Sequence, residues 1–130
     1  MGDLTPNFSR SEFACRCGCG FDGIRMELVE KLQRVRDQAG PLIVRSGCRC
    51  PDRNRSEGGK TDSAHLTGWA ADLACPDNAA RYRLAEIFLR EGIHRLGFGA
   101  HFIHADVHPD KPGRRIWLYP DKSQSPQVNV

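Results

Sequence analysis

No apolar stretch in these 130 residues approaches the roughly 20 that a membrane span requires, so membrane insertion is not expected. The opening segment, MGDLTPNFSRSEF, lacks the apolar core of a secretory signal, which leads us to expect synthesis in the cytoplasm without classical export. There is no basic stripe and no aromatic ladder. The 19 Lys and Arg are interspersed among 16 Asp and Glu for a net charge of +3, and nucleic acid is therefore not an expected partner. Internal repeats, low-complexity tracts and interdomain linkers are missing too. What is present is globular in character: 39% hydrophobic and 27% charged residues exclude a disordered or fibrous chain. The length suits one core rather than two. We expect a single domain over residues 1–120, a flexible polar tail over 121–130, and a monomer.

Residues 7–23, rich in Gly, Ser and Cys, read as an irregular N-terminal cap. Leu28, Leu32, Val35 and Ala39 then recur at helical spacing until Gly40-Pro41 closes the run. Leu42-Ile43-Val44 reads as a short strand, residues 49–61 as a long surface loop, and Trp69 to Ala74 as a buried strand. A second helix opens at Pro76-Asp77, with Asp77 as N-cap and Leu84, Ile87, Phe88 and Tyr82 as candidates for its inner stripe. The last third reads as short antiparallel strands around Leu96-Gly97-Phe98, residues 101–107 and Ile116-Trp117-Leu118-Tyr119.

The chemistry concentrates in Ser63-Ala64-His65-Leu66-Thr67-Gly68-Trp69-Ala70-Ala71-Asp72 and Phe102-Ile103-His104-Ala105-Asp106-Val107. Catalytic zinc usually takes three protein ligands from His, Asp and Glu and keeps a fourth position for water; His65, Asp72 and His104 supply such a set. Asp72 lies in an apolar run, where a carboxylate is costly without a compensating cation. The plainer alternative pairs Asp72 with an arginine or a turn and makes His65 and His104 ordinary, partly buried histidines. The residues alone leave both open.

Six cysteines follow an unusual plan: Cys15, Cys17 and Cys19 alternate, Cys48 and Cys50 alternate, and Cys75 stands alone. Alternating thiols do not easily pair with one another. The first five are expected to hold either a second, structural zinc or disulfides between the two clusters, and Cys75 is expected to be a small buried hydrophobe.

Ser46-Gly47-Cys48-Arg49, Asn54, Gly58-Gly59, the SxHxxGxAxD element from Ser63 to Asp72, Gly97-Phe98-Gly99 and Phe102-Ile103-His104-x-Asp106 together resemble the M15 family of D-Ala-D-Ala carboxypeptidases. The likeness is to the short Streptomyces-type branch found in phage and prophage genes, and more distantly to the hedgehog and lysostaphin-type zinc fold. The resemblance implies an α+β domain in which helices flank a small antiparallel sheet, with one catalytic zinc on His65, Asp72 and His104. It implies hydrolysis of peptidoglycan stem or cross-link peptides at a D-amino acid. Action would be at the bacterial cell wall, after phage-type release or as part of a virion. Arg49 would reach the substrate carboxylate and Ser63 would help hold the peptide.

One family position departs. Many relatives carry Glu or Asp three residues before the last ligand, where this chain has His101. An imidazole titrates near neutral pH and is chemically capable of the proton transfer, whereas strand alternation puts Asp106 on the face of His104. His101 and Asp106 therefore share the catalytic candidacy, with Asp106 alternatively orienting a ligand imidazole or forming a salt bridge to a nearby basic residue such as Lys111. A catalytically silent zinc domain that binds wall peptides or a protein partner, or serves as a phage structural component, is the competing expectation.

Overall fold

The structure, a computed structural model, describes residues 2–120; the expected tail over 121–130 lies outside them. A 3-10 turn at Arg10–Phe13 leads into helix α1, Met26–Ala39. Strand β1, Val44–Ser46, is followed by a short helix α2, Pro51–Ser56, and a 3-10 turn at Ala64–Thr67. Strand β2, Ala70–Ala74, helix α3, Asn78–Arg90, and strands β3, Arg95–Phe98, β4, Phe102–Asp106, and β5, Arg115–Leu118, complete the order. The five strands form one sheet in the order β1-β2-β4-β3-β5.

The α+β class is as the resemblance implied, but the sheet is mixed rather than wholly antiparallel, because β5 pairs in parallel with β3. The cause is topological. β4 ends at Asp106, opposite Arg95 at the start of β3, and the short link that follows reaches the outer edge of β3 at that same end. β5 consequently starts beside Arg95 and runs with β3.

Strand alternation separates the sheet into a core face and a site face. Ala71, Leu73, Leu96, Ile103 and Ala105 point into the core shared with Leu28, Val29, Leu32 and Val35 of α1 and with Leu84, Ile87 and Phe88 of α3. Each fully buried aliphatic or aromatic side chain stabilises the fold by about 1.5–3 kcal/mol, so this layer dominates the folding energy. Asp72, His104 and Gly97 belong to the other face. They stand directly opposite one another across β2, β4 and β3.

Several boundaries differ from the sequence reading. The first strand is Val44–Ser46 rather than residues 42–44, and Ile43 is exposed. The supposed loop contains α2, whose Pro51 occupies the first turn while Cys50 Sγ accepts from Arg53 N. Tyr82 faces solvent and takes no part in the inner stripe of α3, whereas Asp77 caps that helix by accepting from Ala80 N. No helix among the described residues is long and apolar enough to cross a membrane.

Candidate metal centre

His65 is placed by a tight local turn. Ser63 Oγ accepts from His65 N at 3.2 Å and starts the 3-10 turn. Gly68 ends it with φ +78°. A Cβ there would meet Gly23 O at 2.1 Å, so glycine is required both for the left-handed turn and for the close approach of the chain. Asp72 and His104 come instead from cross-strand pairing, since neighbouring residues on adjacent strands project from the same face.

The three side chains converge with near-equal spacing. His65 Nε2 lies 3.2 Å from Asp72 Oδ1 and 3.2 Å from His104 Nδ1, and His104 Nδ1 lies 3.2 Å from Asp72 Oδ1. Each is held from behind. His65 Nδ1 is 2.6 Å from Gly47 O, a carbonyl that can only accept, so the ring donates there and leaves a lone pair on Nε2. His104 Nε2 donates to Asp106 Oδ2 at 2.7 Å, which leaves the lone pair on Nδ1. Asp72 Oδ2 accepts from Arg49 Nη2 at 2.9 Å, turning Oδ1 toward the imidazoles.

Three acceptors thus face one another. A proton shared among them or a cation satisfies the set, and the spacing decides which fits. Tetrahedral zinc with bonds of about 2.0–2.1 Å needs ligand atoms about 3.3 Å apart, close to the 3.2 Å edges found. The residues present therefore fit a zinc ion, with each ligand oriented by a hydrogen-bonded partner as metal-binding side chains generally are.

Burial makes the charge balance strict, because His65 is 2% exposed, His104 4%, Asp72 7% and Asp106 1%. Burial pushes the His65 imidazole below its usual pKa, against the pull of Asp72. The same burial acts on His104, but its hydrogen bonds to Asp106 and Asp72 outweigh it and the net direction is upward. Burial also opposes ionisation of Asp72, yet His65 and His104 hold its carboxyl well below the usual carboxylate range.

The other expected site residues fall in distinct places. Arg49 is buried and lies behind Asp72, with Nε on Ser46 Oγ at 3.0 Å and Nη1 on Asn54 Oδ1 at 3.4 Å. A bulge in β1 sets Ser46 opposite Asp72, which brings the serine hydroxyl under that guanidinium. Asn54 in turn donates to Lys60 O at 2.8 Å and ties the following loop to Arg49. Asp106 accepts from three donors, His104 Nε2, Arg95 Nε at 2.7 Å and His108 N at 3.2 Å. Lys111 pairs with Asp62 rather than with Asp106. His101 lies exposed in the turn before β4; its carbonyl accepts from Cys75 N, and its ring makes no hydrogen bond to the described residues.

Two contributors escaped the sequence reading. Arg95 stands opposite Asp106 in the β3–β4 register, a pairing that strand parity reveals once the hairpin is known. Tyr119 joins Trp117 as an aromatic wall beside His104, with ring centroids 6.2 Å and 5.3 Å from that imidazole. Gly97 makes the wall possible. It lies between His104 and Trp117 in the cross-strand row, and a Cβ on it would meet Trp117 Nε1 at 2.4 Å.

A buried His-Asp-His triangle spaced for zinc, on the sheet face opposite the helix-covered core, is an arrangement that zinc hydrolases use. The comparison with known proteins narrows the class: a family model described as Peptidase M15 matches residues 6–107. The chain belongs to this family of zinc metallopeptidases. No curated protein matches it.

Proposed function

We propose that the chain hydrolyses a peptide bond involving a D-amino acid in the stem or cross-link peptides of peptidoglycan, as a D-Ala-D-Ala carboxypeptidase or an endopeptidase acting at the bacterial cell wall. The preset ligand triangle of His65, Asp72 and His104 is the observation that carries the catalytic part of this reading. The substrate class rests on the resemblance of the SGxR and SxHxxGxAxD elements. His65, Asp72 and His104 would hold the zinc, which when bound would supply Lewis acidity to polarise a carbonyl and acidify water.

The chain's own groups bind, orient and move protons. Three of the five N–H groups of Arg49 are engaged by Ser46, Asn54 and Asp72, and the remaining two are proposed to take the carboxylate of a stem peptide. Ser63 Oγ accepts from His65 N and keeps its own proton to donate to a substrate carbonyl. Trp117 and Tyr119 flank His104 with their rings. Asp106 is a positioning residue: its bond to Nε2 of His104 lies across the ring from Nδ1, and all three of its donors hold it in place. The acid-base role is therefore assigned to His101, whose ring has a lone pair to spare.

The exposure of His101, with no bond from its ring to the site, also favours a second reading: a zinc domain that binds wall peptides without cutting them. Mass spectrometry of purified muropeptides treated with wild type, His101→Ala and Asp106→Ala separates these. The proposal expects cleavage by wild type, loss of turnover with retained zinc in His101→Ala, and weakened zinc in Asp106→Ala. Zinc-loaded wild type that binds muropeptides and leaves every bond intact would establish the silent domain instead.

A further inference from the structure

A second cluster of metal-binding side chains lies apart from His65, Asp72 and His104. The sulfurs of Cys15, Cys17, Cys19 and Cys50 all lie within 4.8 Å of one another. Cys17 Sγ is 3.4 Å from Cys15 Sγ and 3.6 Å from Cys50 Sγ. A disulfide needs about 2.05 Å between two sulfurs and leaves the other pair without purpose. Tetrahedral zinc with bonds of about 2.3 Å to thiolates needs four sulfurs about 3.8 Å apart, and separations of 3.4 and 3.6 Å, with all four sulfurs inside 4.8 Å, suit that arrangement.

The backbone around the cluster is shaped for it. Gly18, between Cys17 and Cys19, has φ +82°, and Gly20 has φ +92°, conformations that let three alternating cysteines curl toward one point. Two main-chain N–H groups are aimed at sulfur: Cys50 N donates to Cys15 Sγ at 3.5 Å, and Arg53 N donates to Cys50 Sγ at 3.4 Å. Such donors stabilise thiolate over thiol. Cys48 is not part of the group, since its side chain is buried in the core while its N–H bonds to Phe13 O. Cys75 is likewise buried in the core.

We infer that Cys15, Cys17, Cys19 and Cys50 form a structural zinc site that fastens the N-terminal cap to the loop carrying Arg49. Binding displaces the four thiol protons to solvent and leaves a Zn(S-Cys)4 centre closed to water, so the site has no hydrolytic role. Its value is positional. Cys50 follows Arg49 directly and caps α2, so a fixed Cys50 fixes the guanidinium behind Asp72. The chain segment from Cys15 to Cys19 has little packing of its own, with Cys17 and Cys19 exposed, and an ion supplies the cross-link that apolar contacts do not.

The test is independent of the peptidase reading. Full-length His65→Ala protein, in which the other centre is disabled, is purified under reducing conditions with zinc supplied, and its metal is counted by plasma mass spectrometry. About one zinc per chain is expected, falling toward zero when Cys17→Ser and Cys19→Ser are added; both positions are exposed, so the replacements disturb little packing. Cobalt added to the reduced wild type reads the ligands without any variant. The intense sulfur-to-cobalt charge transfer of a tetrahedral thiolate site is expected and is lost in Cys17→Ser/Cys19→Ser. A folded His65→Ala chain with no zinc and four freely titratable thiols overturns the inference. So does a disulfide joining any two of the four in reduced, zinc-supplied protein.

Discussion

Replacing Asp106 with Asn tests how the ligand triangle is held. Asp106 Oδ2 accepts the proton of His104 Nε2, while Oδ1 accepts from Arg95 Nε and His108 N. Asparagine has nearly the same shape but turns one of the two oxygens into a donor. Either His104 loses its acceptor, or the arginine and the amide lose theirs, and in both cases a buried donor faces a donor. A hydrogen bond to a charged group contributes about 1.5–3 kcal/mol. Loss of a partner behind a metal ligand typically costs 10–100-fold in metal affinity, about 1.4–2.8 kcal/mol, so the two estimates agree. Asp106→Asn should therefore weaken zinc by about 10–100-fold, measured by competition with a chelating dye on protein shown to be folded by circular dichroism. Zinc affinity within twofold of wild type would refute the positioning role. If Asp106 were the base, zinc affinity would stay unchanged while turnover fell and the alkaline or acidic limb of the rate profile disappeared.

Further outcomes follow from the same geometry. Gly97→Ala sets a Cβ 2.4 Å from Trp117 Nε1 and 2.5 Å from Tyr119 Cε2, so both rings must move; we expect a shifted tryptophan emission and a loss of about 1–3 kcal/mol in chemical denaturation. Gly59→Ala brings a Cβ within 2.0 Å of Asn54 Oδ1 and 3.1 Å of Arg49 Nη1, and should weaken zinc binding through Arg49 while leaving the helix content intact by circular dichroism. Leu32→Ala removes a fully buried side chain from α1 and should cost about 2–5 kcal/mol in urea unfolding. Burial opposes ionisation of Asp106, but His104, Arg95 and the His108 N–H outweigh it and hold its pKa below the ordinary 3.8. Its contribution to the stability of the metal-free chain is present above pH 3.8 and lost as the pH falls through the depressed value, so Asp106→Asn should have a shallower acid limb in pH-dependent denaturation.

The sequence conveyed those parts of the fold that depend on local pattern or on chemical cost. The stripe of Leu28, Leu32 and Val35 needs nothing but helical period to be read, and Asp72 in an apolar run demands a cation wherever it lies. Alternation along β4 likewise sets His104 and Asp106 on one face. What stayed hidden depends on pairing between distant segments. Arg95 becomes the partner of Asp106 only through the β3–β4 register, and the parallel placement of β5 only through the route of the link from β4. Helix α2 has no legible period because PDRNRS has almost no apolar residue to carry one; a proline in its first turn and a cysteine cap hold it instead. The hydrogen bonds that tie Asp106 to His104, Arg95 and the His108 N–H are likewise encoded in no spacing.

Zinc-dependent cleavage is tested most directly by hydrolysis of a synthetic stem peptide ending in D-Ala-D-Ala, followed by mass spectrometry, as zinc is returned to chelator-stripped protein, with His65→Ala run in parallel. The expected result is cleavage that vanishes with the metal, returns with zinc in wild type and fails to return in His65→Ala. Zinc-loaded wild type that leaves both this peptide and cross-linked muropeptides intact, or cleavage that is equal in the variant, would contradict it.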